Sequence, residues 1–148
     1  MGTTFAEYCD TAAAREKIAA NVLEWSQMLC LSLEQNFIEE SIRRQKFFAA
    51  GNPEDAEYYE KRIAELRDGK GRYKFEIETG RKYHKIIMVT DGDSRSVHAF
   101  VDKKTGELYK AASFKAPAKG VRFDLRLIEE REFVFKNCDW AGGYLYKN

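Results

Sequence analysis

Residues 95–126 read RSVHAFVDKKTGELYKAASFKAPAKGVRFDLR, and their pattern decides the class of fold. Residues 97–101 predict a strand, residues 103–106 predict a tight turn, and residues 107–110 predict a strand that pairs back on the first. After a loop with one proline, apolar and charged side chains alternate over residues 121–127, which predicts a half-buried strand with a basic face. The stretch therefore indicates an antiparallel sheet in the C-terminal half of the chain.

Further strands flank this stretch. Residues 73–78 and 83–90 have the composition of strands, and the turn sequence DGDS at 91–94 joins the second of them to the strand at 97. Residues 132–136 fit either a strand or a helix. The run WAGGYLY at 140–146 predicts a turn and a short aromatic strand.

The N-terminal half of the chain has the period of helices. No proline or glycine lies between Thr3 and Ala50, and Thr4 with Glu7 matches a capping box. Apolar residues then recur in steps of three and four, which is typical of one helical face. They are Ile18, Val22, Trp25, Leu29, Leu33 and Phe37. The pattern leaves open whether residues 5–50 form one long helix or two helices with a kink.

A second helix follows the first after a tight turn. Gly51 is expected to end the first helix, Asn52 to cap the next one, and Pro53 to occupy its first position. The second helix runs to about Asp68, so the two helices form a helical hairpin.

These patterns predict an α+β fold, with an N-terminal long helix and helical hairpin packed on a C-terminal antiparallel sheet of four to six strands. The chain divides into a helical region, residues 1–70, and an antiparallel β region, residues 71–148. With 148 residues in total, the two regions are expected to form one compact unit.

The composition favours a cytoplasmic protein without a membrane partner. The sequence begins with no basic-then-apolar signal segment, and no stretch approaches the roughly 18 apolar residues of a membrane span. Cys9, Cys30 and Cys138 lack the spacing of metal ligands, and we expect buried free thiols, which suits a reducing compartment. The net charge of +1 argues against a protein that coats a polyanion along its whole surface.

The charge is concentrated despite the small net value. Residues 103–126 carry seven basic and two acidic side chains, a net charge of +5. Residues 1–70 hold 9 basic and 13 acidic side chains, and residues 71–148 hold 16 and 11, so the helical region is acidic and the β region basic. This distribution predicts an anion-attracting surface on the sheet side.

The loop at 111–120 is the first candidate for that surface. Pro117 restricts the residue before it and Gly120 can close a turn, so we expect the loop to be constrained. Basic side chains around the loop would supply charge, Ser113 a hydroxyl donor and Phe114 a stacking face for nucleic acid or a nucleotide. The candidate residues are Lys110, Ser113, Phe114, Lys115, Lys119, Arg122 and Arg126. The alternative is a solvated connector whose lysines keep the sheet soluble.

The two histidines are the second candidate, for a metal or acid–base site. If the hairpin centres on residues 92 and 93, His84 lies opposite Val101 and His98 opposite Ile87, so the histidines face opposite sides of the sheet and cannot share a metal. The sequence contains no recognisable nucleophile setting and no glycine-rich phosphate loop. We therefore expect no catalytic residues, no metal and no cofactor, and an enzyme is the hypothesis with least support.

The helices offer a different class of function. Large apolar residues between Trp25 and Phe48 exceed what one narrow helical stripe requires. They either pack on the sheet or form a surface for a second copy of the chain or for a host protein. A homo-oligomeric or host-protein interaction protein is therefore the alternative to a binding module.

Residues 100–122 read FVDKKTGELYKAASFKAPAKGVR. They resemble a family of small uncharacterised tailed-bacteriophage proteins, in which a D-x-x-T-G turn precedes K-x-A-S-aromatic-x-x-P-A-K and an arginine. The resemblance covers roughly residues 82–146, and Phe114 occupies a position where tryptophan is common in that family. It implies a phage gene product that acts inside an infected bacterium, and it implies no activity.

Overall fold

The computed structural model describes residues 11–69, 73–90 and 94–146, together with Thr4 and Glu7. Two helices come first, α1 (Ala12–Gly51) and α2 (Ala56–Arg67), and the short 3-10 turn Pro53–Asp55 connects them. The strands follow in order: β1 (Lys74–Thr79), β2 (Tyr83–Val89), β3 (Arg95–Asp102), β4 (Glu107–Lys110) and β5 (Phe123–Asp124). Helix α3 (Ile128–Asn137) and the 3-10 turn Gly143–Leu145 end the described chain.

Helix α1 is a single helix of 40 residues, so the predicted range forms one helix from residue 12 onwards, and residues 5, 6 and 8–10 lie outside the described residues. The Thr11 hydroxyl caps its start by accepting a hydrogen bond from the Ala14 amide at 3.1 Å. The predicted capping box is confirmed further upstream. The Glu7 amide donates to Thr4 Oγ1 at 3.1 Å, and the Thr4 amide donates to Glu7 Oε2 at 3.2 Å.

The turn between the helices confirms one prediction in position and corrects it in detail. Asn52 holds the N-cap position of the 3-10 turn, but its side chain makes no capping bond there, because its Nδ2 donates to the Phe48 carbonyl at 3.0 Å and so satisfies the end of α1. The physical reason is that the last carbonyls of α1 need donors, whereas Pro53 at the next start has no N–H to satisfy. The predicted helical hairpin is confirmed.

The five strands form one antiparallel sheet in the order β1-β2-β3-β4-β5, as the sequence predicted. Side chains from α1, α3 and the C-terminal turn pack on one face of this sheet, which we name the core face. Fully buried aliphatic side chains make up most of this core. They include Val22, Leu29, Leu33, Ile86, Val101, Leu108, Leu125, Val134 and Leu145.

The C-terminal third differs from the sequence expectation in two ways. Residues 121–127 do not form a full strand: β5 comprises Phe123 and Asp124 only, and Leu127 is 53% exposed. Strand β4 has only four residues, so β5 soon has no partner, and the Leu125 amide already donates to the carbonyl of the turn residue Gly106 at 2.9 Å. The predicted aromatic strand near Tyr146 is instead the 3-10 turn Gly143–Leu145.

The register between β2 and β3 corrects the prediction for the histidines. His84 lies opposite Val101 as expected, but Ile87 pairs with Val97, because a β-bulge leaves His98 without a directly opposite residue. His98 contacts the core residue Phe75, at 5.5 Å between rings, so both histidines face the core side. Each has its own partner, Thr79 or Tyr144, and no metal-binding group of three His, Cys, Asp or Glu side chains occurs among the described residues. The turn residues 91–93 lie outside the described residues.

The described cysteines are free and buried, as predicted. Burial raises the pKa of Cys30 to about 12 and that of Cys138 to about 11, so both remain unreactive thiols at neutral pH. Cys9 lies outside the described residues. None of the helices in the described part of the chain combines the length and the hydropathy that a membrane crossing requires.

Candidate functional site

The loop that follows β4 is held in a defined conformation by its own backbone. Ala111 pairs with Pro117, and the amides of Ala112 and Ser113 donate to the Ala116 carbonyl at 3.0 and 3.1 Å. The Ser113 hydroxyl oxygen accepts from the amides of Lys115 and Ala116 at 3.3 and 3.2 Å. Ser113 therefore shapes the turn, and only its O–H hydrogen remains as a donor for a ligand.

Phe114 lies at the tip of this loop and is 45% exposed. The Lys85 ammonium lies 4.4 Å from the centroid of its ring and 5.7 Å from that of Phe100. An ammonium placed between two rings is attracted by both, and its stem covers apolar surface. This contact fixes the loop tip over the sheet.

The face of the sheet beneath Phe114 is opposite the core face, and we name it the outer face. Lys85 pairs with Phe100 and Phe100 with Tyr109, so the three form a row across β2, β3 and β4. Tyr83 extends the row, with its ring 5.6 Å from Phe100 and 6.0 Å from Tyr109. The Lys82 ammonium lies 5.3 Å from the Tyr83 centroid, so cations and rings alternate along this face.

Burial keeps the outer face well ordered. Phe100 is only 1% exposed although its neighbours Ala99 and Val101 pack in the core, so its burial comes from the outer-face side chains and not from the helices. Desolvation raises the pKa of the Tyr109 phenol, which therefore keeps its proton at neutral pH and can donate a hydrogen bond. A packed layer of this kind positions the exposed Phe114 ring and the cations around it.

Three of the predicted cations lie on or beside the loop. Lys115 and Lys119 are exposed. Arg122 precedes the core residue Phe123, so it faces the outer side, and it is half-buried with its Nη1 3.5 Å from the Gly120 carbonyl. Gly120 has a φ of +95°, which matches the expected turn. With Ser113 and Phe114, these residues form the part of the prediction that the structure brings together.

Lys110 does not join them. It pairs with Ala99, so it faces the core side, where its ammonium lies 4.4 Å from the Tyr146 ring centroid. There it lines a separate cavity of about 390 Å³ with His98 and Trp140.

Arg126 does not join the loop either. Its Nε and Nη2 donate to the two carboxylate oxygens of Asp124 at 3.3 and 3.1 Å, which neutralises much of its charge. Its Cγ lies near Gly106, in the turn between β3 and β4, at the opposite end of β4 from the loop. The expectation that all the basic residues converge at one point is therefore wrong for Lys110 and Arg126.

The structure adds residues that the sequence interpretation missed. Lys85 and Tyr83 on β2 complete the row on the outer face, and the predicted pairing of His84 with Val101 already implied that Lys85 lies opposite Phe100. Strand β1 has the opposite charge on the same face. Glu76 and Glu78 lie within 3.2 and 3.4 Å of Arg95, so the charges at this edge are largely paired with one another.

Comparison with known proteins identifies a family. Residues 5–147 match a family described as Family of unknown function (DUF7717). The chain belongs to the DUF7717 family. No curated protein and no solved structure matches it. The DUF7717 match spans both the helices and the sheet, so the helical region is part of what defines the family.

Proposed function

We propose that this protein is a non-enzymatic binding module for nucleic acid, with the loop and the outer face of the sheet as its binding surface. The observation that carries the proposal is the alternation of cations and rings from Lys82 through Lys85 to Phe114. Rings on a sheet stack unpaired bases, and flanking lysines contact the phosphates. Single strands are favoured over duplex, because the bases of a duplex are already stacked on one another.

The charges on the outer face differ between its β4–β5 side and its β1 edge, and this difference determines where the nucleic acid is expected to lie. Lys115, Lys119 and Arg122 lie at the β4–β5 side, whereas Glu76 and Glu78 occupy the β1 edge. A phosphate backbone is attracted to the cations of the first side, whereas the two acids of the second side are paired with Arg95 and add no attraction. We therefore expect the nucleic acid strand to lie along β2, β3 and the loop, and to avoid β1.

Fluorescence anisotropy with an oligothymidylate of about 12 nucleotides, within the usual site size of such surfaces, tests this proposal. Affinity should fall with added salt, and the double variant Lys115→Ala/Lys119→Ala should flatten the log–log salt slope by about 1.4, from two phosphate contacts at about 0.7 each. Phe114→Ala should weaken binding about tenfold with little change in that slope, because it removes stacking and no charge.

Lys46→Ala/Lys61→Ala is the matched control, because it removes two exposed lysines from the helices. It should leave both affinity and slope close to those of the wild type. Absence of binding at low salt, or a loop variant that binds like the control, would remove the proposal.

A second function is favoured by the exposed apolar residues of α1. Leu31 is 66% exposed, Phe47 75% and Met28 42%, so the sheet leaves part of this helix uncovered. We propose as the alternative that this surface binds a second copy of the chain or a host protein.

The origin of the protein is also a proposal. The resemblance of residues 82–146 to tailed-phage proteins supports a phage gene product in the cytoplasm of the infected bacterium. Immunoblots of fractionated infected cells test this: signal in the membrane pellet, or before infection, would contradict it.

A further inference from the structure

A second group of cations lies at the turns that end the sheet beside Tyr83 and Asp102. The β1–β2 turn and the β3–β4 turn approach each other there and, with the flank of α1, enclose a cleft of about 520 Å³. The residues that line it are Ala19, Arg81, Lys82, Asp102, Lys103 and Lys104. The cleft is thus bordered by four cations and one carboxylate.

Hydrogen bonds between the turns hold this cleft open in one shape. The Lys103 amide donates to the Lys82 carbonyl at 3.0 Å, and the Lys103 ammonium donates to the Gly80 carbonyl at 3.1 Å. Each turn is therefore tied to the other by both backbone and side chain. The ammonium of Lys103 keeps two further N–H donors, because an ammonium has three.

The carboxylate in the cleft is already occupied. Asp102 is 8% exposed, and its Oδ1 accepts hydrogen bonds from the amides of Lys104 and Thr105 at 2.8 and 3.1 Å. It shapes the D-x-x-T-G turn in this way, and no close ion pair joins it to the four cations of the cleft among the described residues. With four cations against one carboxylate, the cleft presents a net positive charge to a ligand.

The cleft continues the row of the outer face. Lys82 lines the cleft, and its ammonium also lies 5.3 Å from the ring of Tyr83, which is the first ring of that row. A nucleic acid strand whose bases stack on Tyr83 and Phe114 therefore brings a phosphate to Lys82. Helix α1 borders the cleft at Ala19. We therefore expect the nucleic acid strand to end in the cleft and not to continue past the helix.

We infer that this cleft binds a phosphate monoester, the terminal phosphate of the nucleic acid strand, and this inference rests on the proposed function. A terminal phosphate carries nearly two negative charges at neutral pH, whereas an internal phosphodiester carries one. Four cations that line one cleft favour the more highly charged group, and charge-assisted hydrogen bonds to a phosphate are the strong ones. A free mononucleotide offers the same chemistry, and the experiment separates the two sources.

The experiment compares otherwise identical oligothymidylates that carry a 5′-phosphate, a 3′-phosphate or neither. One of the phosphorylated strands should bind about tenfold more tightly than the strand with neither, which corresponds to about 1.4 kcal/mol. The variant Arg81→Ala/Lys104→Ala should lose that preference and retain binding of the unphosphorylated strand. The variant Lys46→Ala/Lys61→Ala should keep the preference.

Titration with thymidine monophosphate, followed by amide chemical shifts, gives a measurement on the unmodified protein. Shifts concentrated at residues 80–82 and 103–105 support the cleft, and shifts confined to residues 111–117 overturn it. Equal binding of all three strands overturns the inference while the proposed function stands. Loss of all strand binding with retained monophosphate shifts at the cleft overturns the proposed function and supports the cleft as a mononucleotide site.

Discussion

His98 and Tyr144 are a half-buried pair whose protonation is decided by their surroundings. His98 Nε2 lies 2.7 Å from the Tyr144 hydroxyl, and the rings stack at 5.6 Å. Burial lowers the pKa of His98 to about 4 and raises the pKa of Tyr144 well above its ordinary value. The ring of His98 also donates a hydrogen bond to the Trp140 backbone, which favours a hydrogen on the other ring nitrogen, so Nε2 accepts and the Tyr144 phenol donates.

This pair predicts a loss of stability in mild acid. Between the ordinary histidine pKa of 6.5 and the folded value of about 4, the unfolded chain binds a proton that the folded chain does not. Above pH 6.5, His98 should not change the free energy of unfolding. As the pH drops to about 4.5, its titration should lower the free energy of unfolding by about 2–3 kcal/mol. Urea unfolding at about pH 7 and about pH 4.5 measures the difference.

His98→Gln is the informative variant for that prediction. Its amide oxygen can accept from Tyr144 and does not titrate, so the acid-induced loss should shrink by most of that amount relative to the wild type. The pKa of His84 is also lowered by burial, so His84→Gln is expected to remove a smaller part of the same loss. An identical pH dependence in the wild type and His98→Gln would contradict the assignment.

Residue types were predictable from the sequence, but residue orientations were only partly so. Ser113 and Phe114 are in the loop as expected, yet the direction of Lys110 depends on its pairing with Ala99, and the sequence does not state that register. The contact between Lys85 and Phe114 joins residues from separate hairpins, so no local pattern predicts it. The Asp124–Arg126 pair is different, because residues two apart on an extended chain share a face, and this pairing was available to sequence reasoning.

The turn between β3 and β4 is the element that the sequence predicted best. Gly106 adopts a φ of +74° and is buried, and an added Cβ would lie 3.4 Å from Val22 Cγ2 and from Arg126 Cγ. Gly106→Ala should therefore lower the free energy of unfolding by about 1–2 kcal/mol, since the left-handed conformation disfavours a side chain. Thermal or urea unfolding measures this change.

Gly51→Ala is the matched control for the turn. Gly51 is the last residue of α1, and a Cβ there meets nothing within 4 Å. Alanine should leave stability unchanged or raise it by about 0.4–1 kcal/mol, because it restricts the unfolded chain. If both substitutions shift stability alike, the conformation of Gly106 is not what stabilises the turn.

Elements were predicted well where their own pattern decides them, and poorly where a neighbour decides them. The capping box and the unbroken run without glycine or proline predicted a helical N-terminal half. The alternation at 121–127 is a genuine strand pattern, but a four-residue β4 leaves it too few partners. The residues that follow, 128–137, form helix α3. Its Val134 packs in the core, and its Arg131 guanidinium lies 4.3 Å from the centroid of the Trp25 ring.

At the scale of the whole molecule, α1 is longer than the sheet needs. It contacts the sheet side at Glu34, which accepts from the Phe75 amide at 2.9 Å, and at Phe37, which stacks on Tyr73 at 4.1 Å. Residues 38–51 continue for about 20 Å at 1.5 Å per residue, in contact with α2. Phe47, Phe48, Tyr58 and Tyr59 form a chain of ring contacts near this end.

If this end pairs two copies of the chain, sedimentation should detect a dimer that depends on Phe47. A buried phenylalanine contributes about 1.5–3 kcal/mol, and a two-fold interface contains each residue twice, so Phe47→Ser should weaken association by 100-fold or more. Phe47 is 75% exposed, so the variant should fold. Leu127→Ser changes a similarly exposed apolar residue away from α1 and α2 and should have no effect.

Salt separates this association from nucleic-acid binding, because the two regions carry opposite charge. The helical region has a net charge of −4, so bringing two copies together is opposed by repulsion, and added salt should strengthen the dimer. The same salt should weaken binding to the basic loop, because phosphate contacts release counterions. Sedimentation and anisotropy over one salt series should therefore change in opposite directions. A strict monomer at every salt concentration would contradict the dimer and leave binding of a host protein as the remaining role for this end of α1.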